Sequence, residues 1–337
     1  MLKKLLGKSD FVKNSSILMG GTLLAQLLPV ALQPFLRRIF TPEEFSLFSI
    51  YFSIVSILAL AASFQYHVTV VLPKEDEDAL GLVKGGVVLS VIFSSIILGV
   101  VYLFSDPIFE FFNFQKELAD WKFFIPLSVF LLSCHLVFAN WLTRKKAFKA
   151  LAINKITRRG VEGGVQFGLG KMWDGNGVIL GSIFGDALNF LLYIYQFKKT
   201  GGKFFSVKTA TVRKSFKTYR KFPLYSLVPN LLSTISLFLP VIMINDFYEL
   251  SDGGVTGQYD LSRQILALPL ALISMSLSQV MIQRLSESRN NGVSVKKVYF
   301  KMACKIVYQV MGHRPVGLDI LQLKGYSLSL CATNNNG

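Results

Sequence analysis

The chain has 337 residues, of which 52% are hydrophobic, 29 are Phe and only 17% are charged, with a mean hydropathy of +0.47 and a formal net charge of +16. Length alone would allow two water-soluble domains, but this composition cannot cover a soluble surface, so a soluble enzyme or binding module is excluded and a membrane protein is expected.

A helix crosses a hydrocarbon core of roughly 30 Å with about twenty apolar residues at about 1.5 Å each. Windows of that kind fall near residues 15–36, 45–72, 81–104, 122–142, 177–197, 222–245 and 257–283, with a weaker one at 297–311 and a marginal one at 159–173. The first follows a short basic head without a small-residue cleavage site, so it is expected to stay as a helix rather than be removed as a signal peptide. Cys134, Cys304 and Cys331, two of them in apolar windows, lack metal or disulfide spacing and are expected to be inert.

Lys and Arg gather in alternate connections, the pattern that sets orientation in a membrane. One set holds Lys3, Lys4, Lys8 and Lys13, then Lys74 and Lys84, the block from Arg144 to Arg159, the block from Lys198 to Lys221, and the group from Arg284 to Lys301. The other set holds only Arg37, Arg38, Lys116, Lys122 and Lys171. The expectation is a multi-pass protein of the cytoplasmic (inner) membrane with a cytoplasmic N-terminus. Basic loops that flank spans also point to anionic lipid rather than nucleic acid.

This orientation requires residues 160–197 to cross an even number of times, so "RRGVEGGVQFGLGKMW" (158–173) is expected to cross alongside 177–197 despite its polarity. Gly160, Gly164 and Gly168 repeat every four residues, as do Gly177, Gly181 and Gly185. Small residues at that spacing let backbones approach closely, and a tight hairpin built on the two stripes is expected. Earlier, "VVLPKEDEDALGLV" (70–83) halts at Pro73 and runs through Glu75, Asp76, Glu77 and Asp78. It reads as a short loop whose acids sit at a helix N-terminus, where the dipole favours negative charge.

At an offset of 211 residues, "LLP" (27–29) lies over "FLP" (238–240) and "FSLFS" (45–49) over "TGQYD" (256–260). Residues from 222 onward would then restart the pattern begun at residue 15, as parallel repeats about an axis along the membrane normal. The expected organisation is an N-terminal six-helix lobe over 1–200, a basic linker over 201–221, a partial second lobe of two to three helices over 222–311, and an atypical tail over 312–337.

The strings "LQPFLRRIFTPEEFSLFSIYFSIVSIL" (32–58), "VVLPKEDEDALGLV" (70–83), "NWLTRKKAFKALAINKI" (140–156) and "GVILGSIFGDAL" (177–188) resemble the polysaccharide biosynthesis proteins. These are the O-antigen and capsule flippases of the multidrug/oligosaccharidyl-lipid/polysaccharide exporter superfamily. The resemblance covers roughly residues 8 to 300 and departs after about residue 311, where family members continue through further helices. It implies an all-α membrane transporter with two six-helix lobes facing each other in a V, here with the second incomplete. It also implies movement of a polyprenyl-pyrophosphate-linked oligosaccharide between leaflets.

No catalytic constellation, cofactor motif or metal spacing is visible, and none of these is expected. Charged groups inside spans are costly and so mark function or pairing. Arg263, in "YDLSRQILALPL", is the first candidate for contact with the pyrophosphate; Asp260, three residues earlier, either neutralises it or shares the site. Arg37 and Arg38 close the first helix; snorkelling to the interface is the plainer account, and contact with the pyrophosphate is the other. His67 is either a satisfied polar group or a substrate or proton contact. Glu162 and Asp186 either pair with Arg158 or Arg159 or bind a coupling cation, H+ or Na+. The competing functions are a cation-coupled multidrug exporter of the same fold and a membrane-embedded glycan polymerase.

Overall fold

Capping chemistry starts the second helix. Thr41 accepts from Glu44 N at 3.4 Å while its own N–H donates to the Glu44 carboxylate at 2.7 Å, with Pro42 at the first helical position. In the computed structural model, which describes residues 20–111, 116–170, 177–204, 206–248 and 254–267, every regular element among the described residues is helical. In chain order these are α1 Gly20–Leu36, α2 Pro42–Ala62, α3 Tyr66–Thr69, α4 Asp76–Phe111, α5 Lys116–Trp121, α6 Phe124–Arg144, α7 Phe148–Gly170, α8 Gly177–Lys199, α9 Thr209–Thr218, α10 Lys221–Tyr248 and α11 at 255–267. The weak window at 297–311, the tail, Cys304, Cys331, the basic head and the basic group from Arg284 to Lys301 lie outside the described residues, as do 268–283 of the window at 257–283.

Among the described residues, five helices are long and apolar enough to cross a membrane: α2, α4 over Asp76–Ser105, α6, α8 and α10. Among the described elements α6 is central, packing against α2, α4 and α8. One apolar cluster joins Ile50, Tyr51 and Val55 of α2 to Trp121, Val129 and Ile179; another joins Leu82 and Val83 of α4 to Val137, Trp141, Tyr193 and Phe197. The outer faces of α4 and α10 leave Ile92, Ile96, Leu232 and Leu237 exposed. Contiguous apolar exposure of this kind suits a lipid environment.

The expected span 45–72 is two pieces. α2 stops at Ala62, and Phe64 and Gln65 turn the chain through positive φ (45° and 61°) before α3. Hydropathy averages over this break, where the turn brings polar side chains into contact, although Gln65 Nε2 stays buried without a hydrogen-bond partner. Ser63 Oγ lies 2.6 Å from His67 Nδ1, and Asn230 Nδ2 donates to Gln65 Oε1 at 3.4 Å. α4 bends at Phe104 (φ −128°), just before Pro107, whose ring and missing N–H disturb the preceding turn. The stretch 201–221 is not plain linker either, since it holds α9, packed on α4.

α7 is too polar to qualify as a span by hydropathy, yet it runs antiparallel to α8 along its whole length. Asn154 and Gln196 exchange amide hydrogen bonds at 2.8 and 2.7 Å near one end, and a Cβ added at Gly177 would sit 3.3 Å from Gly170 N at the other. It therefore lies alongside α8 from end to end. The glycine expectation holds for one stripe and is corrected for the other. A Cβ at Gly181 would fall 2.9 Å from Glu162 O, and one at Gly185 3.1 Å from Arg158 O, whereas Gly160, Gly164 and Gly168 have nothing within 4 Å. The α7 face toward α8 is Arg158, Glu162, Gln166 and Gly170; residues two positions along sit about half a turn away.

Candidate functional site

α2 carries three buried serines, Ser46, Ser49 and Ser53, on one face of an otherwise apolar helix. Each hydroxyl lies within hydrogen-bond reach of the carbonyl four residues back, at 3.1, 2.8 and 2.6 Å, so polar groups sit inside the bundle without breaking the helix. α11 presses its first turn onto this face. Gly257 N donates to Ser46 Oγ at 2.8 Å, and a Cβ there would meet Pro42 O at 2.7 Å, so only glycine allows the approach.

One turn further on, the buried carboxylate of Asp260 gathers three groups. Arg263 Nε donates to Oδ1 at 3.0 Å, Gln264 Nε2 to Oδ2 at 2.7 Å, and Ser49 Oγ lies 3.1 Å from Oδ2. The Arg263 guanidinium sits over the Phe238 ring at 5.0 Å, and that ring meets Phe52 edge-on at 6.1 Å. Arg263 keeps 22% of its side chain exposed, so N–H groups beyond those given to Asp260 remain accessible. Arg37 reaches in from the end of α1: Nη2 donates to Gly257 O at 3.1 Å, Nε to Gln33 Oε1 at 3.3 Å, and the group lies 4.7 Å from the Phe45 ring centroid. The structure thus brings Arg37, Asp260 and Arg263 to one contact. Arg38 is exposed, and His67 lies in α3, paired with Ser63.

Both hydrogen bonds between α2 and α11, Ser46 with Gly257 and Ser49 with Asp260, join residues 211 positions apart. This equals the offset at which the two sequence segments align. Residues related by a two-fold axis meet their own mates only on that axis, so an axis relating the repeats would pass through this contact. Ser46, Ser49, Gln264 and Phe238 were not among the sequence candidates, although the spacing of the serines on an apolar helix was a signal for them.

Glu162 and Asp186 form a second polar centre on the α7–α8 seam. Asp186 pairs with Arg158, and Arg159 Nη1 donates to Glu162 Oε2 at 2.8 Å. Asn189 Nδ2 lies 2.8 Å from His135 Nδ1, and Gln166 Nε2 donates to Val178 O at 3.1 Å. Both acids are therefore held by arginines from their own hairpin.

The family model of polysaccharide biosynthesis proteins matches residues 11–288 of this chain. The chain belongs to that family. Its fold is similar to a solved MOP superfamily transporter from Pyrococcus furiosus Vc1, whose structural report concerns the reverse polarity of its binding pocket. That likeness has a TM-score of 0.54 at 13% identity and covers 95% of this chain and 74% of the other. No curated protein matches the sequence. This polysaccharide biosynthesis protein is thus an all-helical, multi-pass membrane protein of transporter fold, and family and fold support a flippase or exporter role.

Proposed function

We propose that this family member flips a polyprenyl-pyrophosphate-linked oligosaccharide across the cytoplasmic membrane, with its N-terminus in the cytoplasm, and that Arg263 and Arg37 receive the pyrophosphate. The observation that carries this is a partly exposed arginine held by an internal carboxylate where distant parts of the chain meet. A guanidinium forks onto phosphate oxygens as readily as onto a carboxylate, so a dianionic group can compete with Asp260 for Arg263. Phe238 and Phe52 offer an apolar floor beneath the cation. In this reading residues 1–200 and 222–311 are the two lobes, 201–221 connects them, 312–337 stands outside both, and the α2–α11 contact is where the lobes touch.

Pyrophosphate binding then has a structural consequence. When Arg263 turns to the substrate, Asp260 loses its charged partner, and Ser49 and Gln264 remain as its hydrogen-bond donors across the α2–α11 contact. For Glu162 and Asp186 we propose a structural role, because a coupling cation there would have to displace an arginine from each.

The test is complementation in a strain lacking its own flippase. Arg263→Ala, at unchanged membrane levels, should abolish surface polysaccharide, and Arg37→Ala should reduce it. Unchanged polysaccharide in Arg263→Ala would remove that residue from the substrate site.

A further inference from the structure

The acids of "KEDED" turn out to be a docking plate for α9. Thr211 Oγ1 donates to Glu77 Oε1 at 3.2 Å, Ser215 Oγ to the Asp78 carbonyl at 3.0 Å, and Lys214 pairs with Asp78 at 3.3 Å. Lys84 Nζ donates to Val207 O at 2.7 Å, fixing the approach to α9. Below these bonds the packing is close: a Cβ at Gly85 would fall 2.1 Å from the Phe216 ring, which stacks on Tyr66 at 4.1 Å. α9 therefore lies along the first turns of a membrane-crossing helix. It is also confined to one membrane face, since α8 ends at Lys199 and α10 begins at Lys221.

Thr211, Ser215, Phe216 and Tyr219 occupy the docked side of the helix. Arg213 and Lys217, four residues apart, fall on the opposite side of the helix, Arg220 follows just past its end at Thr218, and all three are exposed. A helix held at headgroup depth by its inner face, with a cationic outer face, matches a negatively charged bilayer surface in both position and charge. We propose that the outer face of α9 is a docking site for anionic phospholipid headgroups, and that the helix is thereby clamped between the acidic start of α4 and the leaflet. This surface is independent of what the protein transports.

The full chain in nanodiscs of phosphatidylcholine, alone or mixed with phosphatidylglycerol, tests it by hydrogen exchange of the peptide spanning 206–221. Phosphatidylglycerol should slow exchange there by about tenfold, as expected for several cations at a charged surface. Arg213→Gln/Lys217→Gln/Arg220→Gln should lose that difference while α6 stays as protected as in the wild type. If the variant fails to fold, the wild type serves alone, because about 1 M salt, with a Debye length near 3 Å, should erase the difference. Equal exchange in both lipid mixtures, a lipid effect that survives the triple substitution or the salt, or equal protection by inorganic phosphate without the anionic lipid would each overturn the assignment.

Discussion

Two arginine–aspartate pairs sit inside this bundle in different settings. Arg158 and Asp186 face each other across a hairpin, with 12% and 8% of their side chains exposed, between backbones drawn close by Gly181 and Gly185. Arg263 and Asp260 are one turn apart on α11, with 22% and 9% exposed, and Asp260 also meets Ser49, 211 positions earlier. The first pair is neighbour to neighbour and closed in and joins α7 to α8, with Arg158 Nη2 buried without a hydrogen-bond partner. The second lies at a junction of distant segments and retains an accessible cation. Identical chemistry therefore separates into architecture and candidate function according to what surrounds it.

The largest expected effect is at the first pair. Asp186→Asn leaves the Arg158 charge uncompensated and should cost about 3–5 kcal/mol, seen as a marked fall in the melting temperature of the purified protein. Adding Arg158→Gln should recover part of it; if the double variant melts no higher than the single, Arg158 is not the partner that matters. Next is Gly181→Leu, which forces a side chain against Glu162 and Gln166 and should cost about 1–3 kcal/mol or prevent accumulation. Asp260→Asn should cost less, about 1 kcal/mol, because Arg263 keeps access to solvent. The smallest effect is at the other glycine stripe. Gly164→Ala meets nothing within 4 Å and should be neutral or stabilise by about 0.5–1 kcal/mol through helix propensity; a loss as large as that of Gly181→Leu would mean that the two stripes are equivalent.

The sequence was informative about what a membrane solvent imposes and less so about what neighbouring helices impose. Span positions were legible because hydrocarbon thickness sets run length, and the glycine spacing pointed to a hairpin of 159–173 with 177–197, which the structure forms as α7 against α8. The glycines at 160, 164 and 168 marked a smooth face, but spacing along one helix does not say which face a neighbour covers; the polar face of Arg158, Glu162 and Gln166 was the one that α8 covered. The break at Ser63–Gln65 and the helix at Thr209–Thr218 were hidden for a similar reason. Each depends on partners far away in sequence, Asn230 for the first and the acids at 77–78 for the second. At the candidate site, Arg37, Asp260 and Arg263 stood out as charges in apolar surroundings. Ser46 and Ser49 gain their meaning only from the helix that lies against them.

Whether Asp260 holds Arg263 in place of a substrate anion is decided by binding of polyprenyl pyrophosphate to the purified protein, followed by native mass spectrometry. Arg263→Ala should weaken binding at least about tenfold, as for loss of a charge-assisted contact, whereas Asp260→Asn, which removes the internal competitor, should tighten it. Weakened binding in both variants to the same degree, or in neither, would contradict the account.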